Sequence, residues 1–345
     1  MTIGAIIVIL ITVMLLVIYV DPYFHFHGPM EGISYRLGNQ RYLNDGLARN
    51  FDYEAVIIGT SMTENFKPSE VEELFGKKAI KTPFSGAGYK ELADNLKRYY
   101  TYNNNIKMII WGMDMASLCE PWDDSKYKDE EYPNYLYDNL WVNDINYLLN
   151  KEVILKGVVS DLLYTILGRE STTLDDYSTF DEESGKEAVL GNDFADIGVP
   201  AKKEKGIVGE YAHLPQETIK KNFIPVIEEH PETEFYIFVP PYSIAAWANF
   251  WSWGTVSKNL EVEKSAIEML LDYDNVHAFC FFGEHEIVDN LDNYVDRTHY
   301  SADINSLILQ KMKNGENEIT KDNIDEYFDA LFQYYSTYDY SKIYE

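Results

Sequence analysis

The chain has 345 residues, 46% of them hydrophobic, which is enough to bury one large core or two smaller ones. Its 57 acidic residues against 29 basic residues give a net charge of -28, so the surface repels nucleic acid and anionic headgroups, and we expect no nucleic-acid partner. Cys119 and Cys280 are too few for a disulfide framework and lack metal-site spacing. We predict buried thiols, with a single bridge as the alternative.

The N-terminus is a continuous apolar segment. Residues 3–20 carry no charge, and at a rise of about 1.5 Å per residue they cover most of a hydrocarbon core of about 30 Å. A cleaved signal peptide is the alternative. Its apolar region is usually shorter and ends at a small-x-small site, whereas this run meets Tyr19, Asp21 and Pro22. We therefore predict an uncleaved transmembrane anchor over residues 1–22.

The next segment, residues 23–52, is predicted as a juxtamembrane linker. It begins with alternating aromatic residues and histidines, and such rings are common at the membrane interface. His25 and His27 could ligate a metal, but a third ligand is missing from this pattern, so interfacial packing is the better interpretation. We predict no metal and no cofactor.

Short apolar runs alternate with helical patterns from residue 53 onward. The sequence predicts strands at residues 54–59, 78–81, 106–111, 234–239 and 276–282. Helices are predicted at residues 68–75, 89–102, 216–230, 258–272 and 321–345. Because this alternation is typical of parallel sheets covered on both faces, we predict an α/β fold with a five-stranded parallel sheet. Sheets of this kind carry their sites at the carboxyl ends of the strands.

Residues 118–214 interrupt the alternation. This insertion is acidic and rich in tyrosine, with a helical pair near 143–167 and a polar stretch at 171–205. A connection this long is usually a lid or a binding segment, so we predict a helical cap beside the active-site edge, with part of 171–205 mobile. Its exposed tyrosines and Trp122 are candidates for contact with a glycan or a partner.

Three residues have the chemistry of a nucleophilic site. Ser61 follows the first predicted strand directly, where its hydroxyl is exposed at the sheet edge close to backbone N–H groups. Asp296 and His299 are three residues apart, so the carboxylate can reach the imidazole, fix its tautomer and stabilise its cation. A serine cap, an aspartate cap and a surface histidine are the alternatives, and they would be the better interpretation for each residue taken alone.

Taken together, these residues resemble the SGNH/GDSL hydrolase superfamily, in which a serine after the first strand is joined by an Asp-x-x-His block near the C-terminus. The matching blocks are Gly59-Thr60-Ser61, with threonine where aspartate is usual, Ser85-Gly86, and Asp296-Arg297-Thr298-His299. The resemblance covers about residues 53–315. It implies a triad of Ser61, His299 and Asp296, with an oxyanion hole formed by backbone N–H groups of Ser61 and Gly86.

Asp114 departs from the superfamily. It stands after the third strand, where an asparagine amide completes the oxyanion hole, and an ionised carboxylate cannot donate a hydrogen bond. Its part in the oxyanion hole is therefore in doubt. A protonated carboxyl could point into the site and donate, or a carboxylate could turn away and cap a backbone amide. We expect the second arrangement, because loop carboxylates usually find amide partners.

Within the superfamily, the anchor and the Gly-Thr-Ser block are similar to a membrane-anchored branch. It includes the D-alanine transfer protein of teichoic acid synthesis and the alginate O-acetylation proteins. The resemblance implies a three-layer, flavodoxin-like fold over residues 53–345 and an extracytoplasmic domain. It also implies serine acyltransferase or esterase activity on O-acyl groups of a cell-surface polysaccharide, beside a membrane-bound O-acyltransferase. An inactive scaffold for such an acyltransferase is the alternative.

Overall fold

A six-stranded sheet forms the centre of the structure, a computed structural model that describes residues 3–127, 132–138, 140–180, 183–191 and 204–344. The strands are β1 Ala55–Gly59, β2 Ala79–Pro83, β3 Met108–Gly112, β4 Glu234–Val239, β5 Val276–Cys280 and β6 Glu318–Ile319. Their order in the sheet is β2-β1-β3-β4-β5-β6. Strands β1 to β5 pair in parallel, and β6 pairs antiparallel with β5.

Helices precede, connect and follow these strands. The α-helices are α1 Ile3–Val20, α2 Gln40–Asn50, α3 Pro68–Phe75, α4 Tyr89–Tyr102, α5 Met115–Leu118, α6 Ile145–Leu148, α7 Val159–Ile166, α8 Lys186–Leu190, α9 Gln216–Thr218, α10 Ile224–Glu229, α11 Ile244–Trp253, α12 Val256–Leu270, α13 His285–Val288, α14 Ala302–Asn314 and α15 Ile324–Thr337. The 3-10 turns are Ser61–Thr63, Asn134–Leu136, Leu291–Asn293 and Tyr340–Tyr344, and the π-helical turns are Val153–Val158 and Ile219–Phe223.

The predicted α/β class is confirmed, but the prediction of a purely parallel, five-stranded sheet is wrong. After α14 the chain turns back at Gly315, which has a φ of 71°, and β6 then runs antiparallel along β5. A strand of 2 residues is too short to show a period in the sequence. The five predicted strands are all present, with bounds that differ by a few residues at most.

The strand order explains why a site forms at one edge of the sheet. Every residue of β1, β2 and β3 is buried, so both faces of the sheet are covered. β1 lies between β2 and β3, so the connections that follow β1 and β2 lead to opposite sides of β1. Sheets with such a switch point open a crevice at the carboxyl ends of the strands beside it. Ser61 and Asp114 follow β1 and β3 at this edge.

A second hydrophobic cluster joins the N-terminal helix to the domain. α1 is long and apolar enough to span a membrane, and most of its length is exposed. Its last turn is different, because Val17 and Val20 are buried together with residues of the insertion and of the segment 23–52. We predicted residues 23–52 as a linker, and there the structure has α2, whose Leu43 and Leu47 are buried in the same cluster.

The insertion contributes helices beside this cluster. The helical pair predicted near 143–167 corresponds to α6 and to the helix formed by Val153–Val158 and α7. The prediction that part of 171–205 is mobile falls in part on residues 181–182 and 192–203, which lie outside the described residues. Within the described part, Tyr177 is fully buried, so this tyrosine is not available for contact with a glycan.

Candidate active site

Ser61 occupies the first turn after β1. The chain leaves the strand at Gly59 and enters the 3-10 turn Ser61–Thr63, where the Thr63 hydroxyl donates to the Thr60 carbonyl at 2.8 Å. The Met62 carbonyl accepts a hydrogen bond from the Tyr300 hydroxyl at 3.1 Å, which ties this turn to the loop that carries His299. Ser61 is half-buried, so its hydroxyl is held in place and remains accessible.

Ser61, His299 and Asp296 form one hydrogen-bonded chain. The Ser61 Oγ lies 2.8 Å from Nε2 of His299, and Nδ1 of His299 lies 2.7 Å from Oδ2 of Asp296. The loop is closed by a backbone hydrogen bond of 2.9 Å from the Val295 N–H to the His299 carbonyl. The three residues that the sequence analysis combined are therefore in contact, in the order hydroxyl, imidazole, carboxylate.

The Asp296 carboxylate is held by more than the imidazole. Its Oδ1 accepts from the backbone N–H groups of Thr298 and His299, each at 2.7 Å. Partial burial opposes ionisation, but the hydrogen bonds from the His299 ring and the backbone prevail, and the pKa of Asp296 lies well below its usual value. Asp296 is thus a carboxylate at any pH at which the protein would work.

The same contact makes His299 more basic. The hydrogen bond to Asp296 raises the pKa of His299 above its usual value, and this effect exceeds the lowering by burial. With the Nδ1–H directed to Asp296, the lone pair of Nε2 faces the Ser61 hydroxyl. This arrangement suits a base that takes the hydroxyl proton, provided that the ring is neutral before the reaction.

Asp114 lies at the same sheet edge, but our prediction that its side chain caps a backbone amide is wrong. It stands at the N-cap of α5 without a side-chain cap hydrogen bond. Its carboxylate instead accepts from two hydroxyls, those of Thr60 and Tyr242. Each carboxylate oxygen therefore accepts a hydrogen bond from a residue that follows β1 or β4. These two hydroxyls take the place of the backbone amide that we expected as the donor.

The loop after β2 carries Gly86, and two cations contact the loop at the Ser85 carbonyl. Lys126 Nζ and Arg41 Nη1 each donate to the Ser85 carbonyl at 3.0 Å, and Arg41 is itself paired with Glu91 at 2.9 Å. Gly86 has a φ of +66°, and a Cβ there would lie 2.8 Å from Lys126 Nζ. The left-handed backbone conformation favours glycine at this position, whereas Lys126 is a flexible side chain that could move away from a Cβ.

Gln40 of α2 connects three segments beside the site. Its Nε2 donates to Glu64 Oε1 at 2.6 Å and to Ser178 Oγ at 2.6 Å, and its Oε1 accepts from the Ser85 N–H at 2.7 Å. Burial raises the pKa of Glu64, although Gln40 and the charge of His299 oppose the shift. The turn after β1, the loop after β2 and the insertion are therefore fixed to one another through a single side chain.

A buried carboxyl lies behind Asp114. Glu263 of α12 is fully buried, and within the described part of the chain neither of its carboxyl oxygens has a hydrogen-bond partner. Burial raises the pKa of Glu263 well above its usual value, and the charge of Asp114 raises it further. Burial and the charge of Asp114 therefore both favour the protonated form of Glu263.

The sequence analysis missed several residues of this region. They are Gln40, Glu64, Lys126, Tyr242 and Glu263. Tyr242 follows β4 after two prolines, and its place at the carboxyl end of a strand was a usable signal. Gln40, Lys126 and Glu263 come from α2, the insertion and α12, and no motif or spacing connects them to Ser61, so only the tertiary structure could reveal them.

Comparison with known proteins gives little further information. No protein family model matches the chain, and no curated protein matches it. A solved structure described as "a putative platelet activating factor from Streptococcus pneumonia" has a TM-score of 0.38 and 13% sequence identity, and the similarity covers 80% of this chain and 90% of that chain. This similarity is too distant to assign a fold or a function.

Proposed function

We propose that the chain is a membrane-anchored serine esterase or O-acyltransferase of the SGNH/GDSL type. The observation that carries the proposal is the chain of contacts from Ser61 Oγ to His299 and on to Asp296, at 2.8 and 2.7 Å. Its position at the carboxyl edge of the strands, and the flavodoxin-like order β2-β1-β3-β4-β5, support the resemblance of the sequence blocks.

The proposed acylation step uses these groups in turn. His299 Nε2 takes the proton of the Ser61 hydroxyl while Oγ forms a bond to the carbonyl carbon of an acyl ester. Backbone N–H groups of Ser61 and Gly86 stabilise the resulting oxyanion, and the cations on the Ser85 carbonyl add a positive field. When the tetrahedral intermediate collapses, the ester C–O bond breaks, and the leaving oxygen takes the proton from His299.

Deacylation reverses these roles with a second oxygen nucleophile. An acceptor hydroxyl gives its proton to His299 and attacks the acyl carbon of the Ser61 ester, and the Ser61 oxygen leaves and recovers the proton. A sugar acceptor makes the protein a transferase, and water makes it an esterase. We favour the transferase, because an anchored enzyme remains beside a membrane-bound donor, whereas a secreted esterase has less need of an anchor.

The packing of α1 supports an uncleaved anchor. Removal of a signal peptide would take Val17 and Val20 out of a hydrophobic cluster in which they are 1% and 0% exposed. Burial of such a side chain stabilises a protein by about 1.5–3 kcal/mol, so the folded domain would lose several kcal/mol. The anchor alone does not set the orientation, and we infer the outer face of the membrane from the branch that the sequence resembles.

A cavity between α4 and the insertion is a candidate acceptor site, although neither the triad nor the loop of Gly86 lines it. It has a volume of about 350 Å³ and is lined by tyrosines of the insertion, including Tyr127, Tyr132 and Tyr137, and by carboxylates such as Glu91 and Asp94. Aromatic faces and fixed polar groups together suit a ligand that has both apolar and hydroxyl surfaces.

Two substitutions test the proposal directly. Ser61→Ala removes the nucleophile and His299→Ala removes the base, so each should reduce the hydrolysis of p-nitrophenyl acetate by about 10³-fold or more. Both side chains are half-buried at the sheet edge, and thermal unfolding should show a fold as stable as the wild type.

Ser336→Ala is the matched control, because this serine lies on α15 and its hydroxyl donates to the nearby Gln333 carbonyl. It should retain full activity. Equal rates in the wild type and Ser61→Ala would contradict the proposal and favour the inactive scaffold.

A further inference from the structure

Two helical segments of the insertion expose large apolar side chains. Leu163 is 51% exposed, Ile166 78% and Trp141 81%. Leu155, Val159, Leu163 and Ile166 recur three or four residues apart, so they form one stripe along the helix that α7 ends. We name the exposed set Trp141, Ile145, Leu155, Val159, Leu163 and Ile166 the apolar platform.

The opposite face of the same helix is buried against the end of α1. Val153 and Val158 belong to one cluster with Val17 and Val20. A Cβ at Gly157 would lie 2.5 Å from Pro22 Cγ, so the helix backbone touches the residues that follow α1. A helix that is apolar on both faces is typical of a segment enclosed by protein or lipid on both sides.

The platform is fixed to the end of α1 by polar contacts. The Tyr147 hydroxyl donates to Asp21 Oδ1 at 2.8 Å, and His25 Nε2 lies 3.0 Å from Asp144 Oδ1. Tyr147 and Asp21 are fully buried, so the hydrogen bond between them is sheltered from water, and the contact of His25 with Asp144 is partly buried. The apolar platform therefore keeps its position relative to α1.

The charge of this region differs from that of the rest of the chain. Residues 140–169 contain three acidic residues and three basic residues, so the segment has no net charge in a chain of net charge -28. One exposed base, Lys156, is paired with Glu152 at 2.9 Å. Repulsion by anionic headgroups, which applies to most of this surface, is weak here.

We propose that the apolar platform is immersed in the same bilayer that α1 spans, as a second, interfacial contact of the domain with the membrane. The inference rests on α1 being a retained transmembrane helix, which is part of the proposed function. Interfacial helices bury their apolar faces about 5–10 Å into the headgroup boundary, and Trp141 suits that depth. A single helix would let the domain tilt, whereas two contacts fix the height of Ser61 above the membrane.

Site-directed fluorescence in full-length protein tests this placement. In a Cys119→Ser background, with Cys280 buried, single variants Leu163→Cys and Val159→Cys are labelled with a polarity-sensitive dye. The proteins are reconstituted into phosphatidylcholine vesicles with or without lipids that carry a spin label near the headgroup. Ile9→Cys in α1 is the membrane reference, and Glu326→Cys on α15 is the aqueous reference.

We expect the labels at Leu163 and Val159 to emit at shorter wavelength than the label at Glu326. The spin-labelled lipid should quench them, and aqueous iodide should not. If they behave like the label at Glu326 while the label at Ile9 is in lipid, the proposed membrane contact of the apolar platform is wrong and the transmembrane anchor stands. The same result is expected if a membrane protein, and not lipid, covers these residues, so that case also contradicts the proposal. If the label at Ile9 is also in water, the anchor itself is wrong.

Discussion

Thr60 and Asp114 are two of the positions at which this chain departs from the SGNH blocks that it resembles, and the Thr60 hydroxyl donates a hydrogen bond to the Asp114 carboxylate. The superfamily has an acid at the first position and an amide at the second, whereas here a hydroxyl comes first and an acid second. Both pairs of residues, that of the superfamily and that of this chain, consist of one carboxylate and one hydrogen-bond donor. On the proposed SGNH resemblance, we expect the two departures to compensate for each other.

This compensation predicts the behaviour of a double substitution. Thr60→Asp alone would place two carboxylates in contact. Asp114→Asn alone would replace one accepting oxygen by an NH2 donor and leave one of the two hydroxyls without its acceptor, so each substitution should destabilise the protein by about 1–3 kcal/mol. The combination Thr60→Asp with Asp114→Asn restores an acid and an amide, and urea unfolding should show recovery of most of the loss.

Additive losses in the double variant would contradict this explanation. Thr298→Ser provides a control within the same site, because it changes a threonine and keeps the hydroxyl. It should leave the midpoint of unfolding close to that of the wild type.

The raised pKa of His299 predicts a pH dependence. The base must be neutral, so kcat/KM should rise with pH through a pKa above the usual value of about 6.5 for histidine. Asp296→Asn replaces the charged acceptor by a neutral amide, so the pKa of His299 should fall and the acid limb should move to lower pH. The rate should also fall by about 10⁴-fold, because the imidazole loses its preferred tautomer. If the acid limb stays at the same pH after Asp296→Asn, the contact with Asp296 is not the cause of the raised pKa of His299.

At the scale of elements, the sequence predicted the segments whose own residues define their limits. α3 begins with Pro68 in its first turn and ends at Gly76, which has a φ of 65°, and the predicted bounds of α3 and α4 coincide with the structure. α2 was missed because it is largely polar and contains Gly46, a poor helix former. Its stability depends on distant partners, such as the Pro83 carbonyl 2.7 Å from Asn44 Nδ2.

Helix irregularities have a similar explanation. The helix predicted at 216–230 is present, but it contains the π-helical turn Ile219–Phe223 immediately before α10. In a regular α-helix, Pro225 would leave one carbonyl without its N–H donor, and its ring would clash with the carbonyl four residues earlier. The wider π-helical turn accommodates both effects. A periodic pattern of apolar residues predicts that a helix is present. It does not show that one turn of the helix is π-helical and so contains one residue more than a regular turn.

The buried end of α1 predicts the N-terminus of the mature protein. Intact mass measurement of protein extracted from membranes should show a chain that retains residues 3–20. In addition, Val20→Ala should lower the stability of the domain by about 2 kcal/mol, because two methyl groups leave a packed cluster.

Val8→Ala is the matched control, since Val8 is 63% exposed on the same helix, and it should have little effect. A mature chain that begins after residue 20 would show that α1 is a signal peptide.

At the scale of the whole molecule, the described residues form two hydrophobic clusters, and the sequence could predict one of them better than the other. The cluster around the sheet follows from strand and helix patterns along the chain. The second joins α1, α2 and the insertion through contacts between residues far apart in sequence, such as the hydrogen bond of 2.6 Å from the Tyr177 hydroxyl to Asn44 Oδ1. Nothing in the local sequence pairs these residues, so a tyrosine-rich insertion was interpreted as a binding surface.

This architecture gives the candidate site its surroundings. Ser61, Asp296 and His299 were predicted from short blocks, and the structure brings them together, while their catalytic role stays a prediction. The insertion supplies Lys126 beside Gly86, and Phe180, whose ring lies 5.7 Å from the His299 ring. Both are outside the blocks, and they are where we expect the proposed enzyme to select its substrate.

Covalent labelling of Ser61 is the measurement that tests the central claim most directly. The full-length protein is treated with a fluorophosphonate probe, which reacts with serine hydroxyls activated by a base, and the modified peptide is identified by mass spectrometry. We predict one label per chain, located at Ser61, absent in Ser61→Ala and formed much more slowly in His299→Ala. A folded wild-type protein that takes no label at Ser61, or a Ser61→Ala variant that is labelled to the same extent, would contradict the assignment of a serine nucleophile.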